Sequence, residues 1–489
     1  MLNATRMTLS FRRRRRAVFA LSAVALAWRF GAARARAADD AMAGTDATAT
    51  PSLPAQPLRA MTLAQALAYA RAHQPALARA AARVAAAQAD TRIARARWLP
   101  AVGATAQALE GTANNTTASY LGVPEVALPR IGGTRVDPTG TWEPATSTLV
   151  AVGAAQELFD FGRIAAQASV ADAVAVAEGE RRDADRLRVD LLVREAFLAV
   201  ESARGVLRSA DDAVRRSLVH RDMAAASVKN GLRAPIDLTR AQADVARFTV
   251  ARIRAAGGLA LAQASFAAAV GVDDPALDAV GTFAPPQTEP SLSASLQAAG
   301  THAPDVREAR ARTQAAEASA RAIGAEMRPD LALSAAFSER AGTATASAGS
   351  SDKYGPLPVV PNWDVGVVLR WPLYDPVIAA RRTAAERRAD VARADSDLIT
   401  RERLADVTRA HGALGVATAV LDGLANVLAA ARDNETQANA RFRAGLGTSL
   451  ELADAENTLV DAEIQLVIGR FEALRARAIL GTLMGEETP

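Results

Sequence analysis

The sequence predicts an α+β membrane protein built from long antiparallel coiled-coil helices and four β-strands, arranged as two tandem copies of one unit. Three observations carry this. The two halves match in order when shifted against each other. Helical periods run for more than sixty residues without an interior proline. Four segments of about ten residues alternate apolar and polar side chains.

The match between halves organises everything else. A shift of 229 residues pairs Leu63 with Leu292, His73 with His302, Pro75 with Pro304 and Pro100 with Pro329. Past an unequal loop the shift becomes 215 and pairs Leu158-Phe159-Asp160 with Leu373-Tyr374-Asp375. It then becomes 214, pairing Gly231-Leu232 with Gly445-Leu446, Asp237-Leu238 with Glu451-Leu452, and Gly271 with Gly485. Each half therefore reads helix, strand, loop, strand, long helix, turn, helix. Along the chain this gives a signal peptide over 1–38, a flexible linker over 39–60 and a first repeat over 61–271. An inter-repeat linker over 272–290 and a second repeat over 291–485 follow.

The first helix, near 62–98, breaks at Pro75, and its counterpart near 291–327 breaks at Pro304. Long helices over 163–228 and 376–442 follow the strands, and shorter ones over 235–270 and 448–484 return. In the 235–270 segment Leu238, Ala241, Val245, Phe248, Arg252, Ala255, Leu259, Ala262, Phe266 and Ala269 step by three and four, a coiled-coil seam with one arginine in it. Leu404, Val407, His411, Leu414, Thr418, Leu421, Ala425 and Leu428 repeat the pattern. At 1.5 Å per residue the long helices reach about 100 Å, so the 489 residues form rods and not a row of ordinary domains.

The strand pattern is clearest where Trp363, Val365, Val367, Leu369 and Trp371 alternate with Asp364, Gly366, Val368 and Arg370. Leu331, Leu333, Ala335 and Phe337 alternate likewise, with weaker versions at Val102–Ala108 and Val150–Ala154. Polar loops rich in glycine and proline join each pair, at Gly111–Pro144 and Arg340–Pro361. Ten alternating residues with aromatics at both ends suit a membrane-spanning strand, Trp363 and Trp371 forming the girdle. No helix beyond the signal reads as a membrane span. Lipid tolerates no open sheet edge, and single-chain barrels begin at about eight strands. Four strands therefore call for more than one copy.

Charge and composition exclude several classes. The net charge of +4 invites nucleic acid as a partner, but residues 1–37 hold nine arginines and no acid. The rest carries 48 basic against 53 acidic residues, net −5. Arg12–Arg16, an apolar Ala17–Trp28 and Ala35-Arg36-Ala37 form an export signal, to be cleaved. The absence of cysteine removes disulfides, thiolate chemistry and a lipidated N-terminal cysteine. The four histidines lack metal-ligand spacing, and no phosphate-binding loop is present. The expectation is no catalysis, no metal and no cofactor.

These residues resemble the TolC family of outer-membrane factors. The resemblance runs over roughly 60–486 and rests on Ala94-Arg95-Ala96-Arg97-Trp98-Leu99-Pro100, on Leu158-Phe159-Asp160-Phe161-Gly162, and most specifically on Phe442–Leu452 with Leu480–Gly485. It implies a homotrimer with a shared twelve-stranded β-barrel in the outer membrane and a periplasmic α-barrel. It implies the exit duct of a tripartite efflux pump or a type I secretion system. Its partners would be a periplasmic adaptor and an inner-membrane pump, with no nucleic acid. The helical turns become the periplasmic tip where the adaptor docks, which points to Gly231, Leu232, Pro235, Gly445, Leu446, Thr448 and Ser449. Asp433 and Glu435 are the gate candidates. A structural or adhesive trimeric coiled-coil surface protein without a channel is the alternative; it explains the heptads but not the paired strands.

Overall fold

The computed structural model describes residues 60–112, 144–281, 290–342 and 357–486. The expected signal peptide, nearly all of the 39–60 linker and most of the two strand-joining loops lie outside these residues.

The chain order is β1 (Ala60–Met61), α1 (Leu63–His73), α2 (Pro75–Ala96), β2 (Ala101–Thr112), β3 (Pro144–Phe159), α3 (Arg163–Lys229) and α4 (Pro235–Val270). It continues with β4 (Asp278–Ala279), α5 (Leu292–His302), α6 (Pro304–Ala325), β5 (Asp330–Gly342), β6 (Leu357–Arg370), α7 (Pro376–Arg443) and α8 (Ser449–Met484). Lengths agree in pairs: 11 and 11 residues for α1 and α5, 22 and 22 for α2 and α6. They are 67 and 68 for α3 and α7, and 36 and 36 for α4 and α8.

Local chemistry sets the boundaries. Pro75 and Pro304 open their helices at the first position, where a missing N–H costs nothing, and hold Gln74 and Ala303 extended. Thr62 and Gln65 form a reciprocal capping box on α1. The repeated Leu-(Phe/Tyr)-Asp motif is also a cap. Asp375 accepts from the backbone N–H of Val377 at 2.8 Å and of Ile378 at 3.2 Å. Asp160, buried, accepts from Gly162 at 3.0 Å and from Ile164. There Phe161 and Gly162 take φ of +53° and +89°, turning the chain sharply out of the sheet into α3.

The helices pack as antiparallel pairs, α3 with α4 and α7 with α8, joined along α3 and α8. Near the sheet α2 lies on α3, then α6, then α7. Midway along α3, Phe197 meets Phe266 edge to face at 5.8 Å within a buried cluster holding Met61, Leu67, Val193, Val200 and Val270. Val407, Leu414, Leu480 and Met484 form the second-half counterpart. Within the segment read as the inter-repeat linker, Leu277 is fully buried in the first cluster and Asp278–Ala279 pair in parallel with Ala60–Met61. The arginine in the α4 seam is accommodated by reaching out: Arg252 Nε donates to Asp211 of α3 at 2.6 Å. Gly205 of α3 lets Val467 of α8 approach so closely that a Cβ there would sit 2.7 Å from a valine methyl. On α6, burial pushes the Glu308 carboxyl above its ordinary range, against the opposing pull of Arg312 and Arg181.

The four long strands form one antiparallel sheet in the order β2-β3-β5-β6. Side chains in register share a face. Ala104, Val152, Phe337 and Trp363 form one row, and Val102, Ala154, Ala335 and Val365 the next.

Candidate functional site

Two regions carry functional geometry, the sheet and the far end of the helices. One face of the sheet is exposed and apolar: Val102, Val150, Val152, Phe337, Trp363, Val365, Val367 and Leu369 all show large exposed surfaces. Gln156 and Glu339 are polar members of that face. The opposite face carries Thr105, Gln107, Ser334, Ser338 and Asp364, and near its helical end Arg163 pairs with Glu157 at 3.1 Å and with Asp330 at 3.8 Å. A contiguous exposed apolar face marks a surface that lipid or another protein covers. Trp363, 75% exposed, stands eight residues from Trp371, which at 3.3 Å per residue gives a band of roughly 26 Å, the height of a lipid-facing strand belt. Near the helical end Trp98, Phe159, Phe161 and Tyr374 are exposed, as is Trp371. Strands β2 and β6 lie at the edges of the sheet, so their outward N–H and C=O groups need partners before lipid can surround them.

At the other end the two helical turns lie side by side. Gly231 and Gly445, at φ of +71° and +75°, supply the left-handed residue that ends each long helix. The Leu232 N–H donates back to Ser227 and the Leu446 N–H to Arg441, both at 2.9 Å. Pro235 opens α4 and Thr448 caps α8, accepting from Glu451. Ser449 Oγ donates to Asp237 Oδ1 at 2.6 Å, tying the turns together. Leu232 (76% exposed), Leu446 (75%), Ile236 and Leu450 make an apolar tip.

The expected tip residues thus come together in space. Asp433 and Glu435 do not join that cluster. They lie about 15 Å up α7, counting ten residues at 1.5 Å; Asp433 is exposed and Glu435 accepts from Asn439 at 3.3 Å. Among the described residues no group of three or more His, Asp or Glu side chains could hold a metal ion.

Two contacts at the tip have no precursor in the sequence reading. Arg233 Nη2 donates to the carbonyl oxygens of Phe442 (3.1 Å) and Gly447 (3.0 Å), with its guanidinium 4.0 Å above the Phe442 ring. His220 Nδ1 lies 2.8 Å from Glu456 Oε1. Neither left a local signal, because the partners stand more than two hundred residues apart in the chain.

Two helices, α4 and α7, each contain an apolar window long enough to cross a membrane, with mean hydropathy 1.3 and 1.7. By length and composition they qualify as spans, contrary to the expectation that none would. In the single chain these windows are mostly uncovered, and Val250, Ile253 and Leu261 on α4 and Val416, Val420 and Val427 on α7 are exposed.

The family model described as outer membrane efflux protein matches residues 66–272 and 295–486. The protein CyaE of Bordetella pertussis is 28% identical over 436 residues, 87% of this chain and 84% of that protein. Among solved structures, the outer-membrane channel OprN superposes with a TM-score of 0.67 at 22% identity, covering 86% of this chain and 89% of its own. The outer membrane protein VceC of Vibrio cholerae gives 0.67 at 20%, covering 86% and 96%. The open state of the Neisseria gonorrhoeae MtrE outer membrane channel gives 0.65 at 19%, covering 87% and 89%.

Proposed function

The chain belongs to the outer membrane efflux protein family, and from that membership we propose how it serves as an outer-membrane exit channel. Three copies each contribute β2, β3, β5 and β6 to one closed barrel of twelve strands, with the apolar face toward lipid and the polar face toward the lumen. The edge strands carry this reading, since β2 of one copy is the natural partner for β6 of the next. The uncovered faces of α4 and α7 support it, because both lie at the margins of the helical layer where a neighbouring copy would pack. Their apolar windows are then interfaces between rods and not membrane spans.

The rods project into the periplasm as a helical tunnel about 100 Å long. The chain divides into one strand-bearing repeat over 61–271 and a second over 291–485, behind a cleaved signal peptide. The duct is passive: its energy comes from an inner-membrane pump acting through a periplasmic adaptor that grips the apolar tip at Leu232, Ile236, Leu446 and Leu450. Efflux and type I secretion share this architecture. Asp433 and Glu435, brought around the axis by symmetry, form a cation-binding constriction.

Planar-bilayer recording tests the reading. The purified protein should give small, mostly closed conductance, and Asp433→Ala with Glu435→Ala should change block by divalent cations. Unchanged block would remove both residues from the gate; a protein that never conducts would remove the channel.

A further inference from the structure

The joint between the two helix pairs of one chain holds a buried titratable contact. His220 of α3 and Glu456 of α8 have only 11% and 4% of their side chains exposed, and stand 2.8 Å apart. Glu456 Oε1, buried, accepts no hydrogen bond, so its contact with His220 is one of proximity alone. Beside the imidazole lies the Phe442 ring at 6.3 Å, and over that ring the Arg233 guanidinium. Glu456, His220, Phe442 and Arg233 thus run in one line from the joint to the turn.

The charged surroundings are few. From α4, Asp237, Arg240 and Asp244 line the same small cleft. Asp237 is engaged by Ser449 and Arg233, and Asp244 by Arg247 at 3.1 Å. From α3 comes Arg216, which pairs with Glu463 of α8 at 3.3 Å, while α7 presents the uncharged Phe442 ring. Among these side-chain types only imidazole ordinarily changes charge between pH 5 and 8. Adding a proton to the imidazole places a cation 2.8 Å from the buried carboxylate and makes the contact an ion pair across the joint.

The other half of the chain lacks the device. Under the 214-residue shift His220 falls on Asn434 and Glu456 on Gln242, both amides that do not titrate.

We propose that His220 and Glu456 form a proton-operated fastening between α3 and α8, which holds the two helix pairs together more firmly in acid than in alkali. Proton binding and spreading of the tip are then coupled, and whatever spreads the tip must also expel the proton. The inference rests on the α3–α4 and α7–α8 turns being the moving end of a channel.

The absence of native cysteine permits a direct test. Cysteines introduced at the exposed Leu232 and Leu446 carry spin labels, labelled chains are diluted among unlabelled ones, and pulsed dipolar spectroscopy reads the distance between the turns. The spread population should be at least about fivefold larger at about pH 8 than at about pH 5.5. His220→Asn, which installs the residue of the other half, should show the alkaline distribution at both values, and Glu456→Gln should do the same. Identical wild-type distributions at the two pH values, or a full pH response in His220→Asn, would overturn the fastening. Failure of the channel reading shows separately, as absent conductance in bilayers while the distance still responds.

Discussion

Replacing Gly205 by alanine should destabilise the protein, although alanine is the better helix former. In the interior of a helix the exchange ordinarily gains about 1 kcal/mol. Here the new Cβ would sit 2.7 Å from Val467 Cγ1 and 3.2 Å from Cγ2. Valine cannot rotate away cheaply, because one χ1 rotamer dominates in helices. The contact must open by nearly an ångström between two rods, and overpacking of this kind costs roughly 1–3 kcal/mol. Gly179, on the same helix with nothing within 4 Å of its built Cβ, is the internal control and should show the gain alone. The two alanine variants should therefore differ by the overpacking cost alone, about 1–3 kcal/mol, a separation of a few degrees in apparent Tm measured in detergent. Combining Gly205→Ala with Val467→Ala should recover most of the loss. Equal stabilisation at both glycines would refute close approach of α3 and α8 at this level.

Three further outcomes follow from the same geometry. Val367→Arg puts a cation at the middle of the lipid face and should cost about 2–4 kcal/mol and deplete the protein from outer membranes, whereas Val368→Arg on the opposite face should assemble; membrane fractionation reads both. Arg233→Ala removes two charge-assisted bonds to the second turn, so hydrogen exchange of the amides around Gly445–Thr448 should quicken about tenfold or more. Glu308 has a raised pKa in the fold, so the folded state holds a proton that the unfolded state has released. Stability from this group therefore rises as pH falls from neutral toward its ordinary 4.5, and Glu308→Gln should flatten that rise in denaturation midpoints taken across the range.

Much of the architecture was readable because punctuation is chemical. Pro75, Pro304, Gly231, Pro235 and Gly445 end or begin helices within a residue or so of where the periods stop. The alternation of Val365, Val367 and Leu369 correctly divides the exposed apolar face from the polar one. The first-half strands were legible only in their middles: β3 runs from Pro144 to Phe159, but Thr146-Ser147-Thr148 and Gln156-Glu157 interrupt the apolar alternation at both ends. The pairing of β1 with β4 left no trace, since two-residue strands have no period and Leu277 is a lone apolar residue in a polar stretch. The side-chain contacts at the tip were invisible for another reason. His220 and Glu456, or Arg233 and Gly447, are more than two hundred residues apart, and nothing local in either segment specifies the other.

The central claim is that the sheet edges of separate copies close on one another within the outer membrane. With one cysteine introduced on β2 at Ala104 and one on β6 at Val365, a short bifunctional maleimide applied to isolated outer membranes joins neighbouring edges. Covalent products should climb from one chain to two and to three and stop there. Chains that stay single, or that leave the membrane with the soluble fraction, would contradict the shared barrel outright.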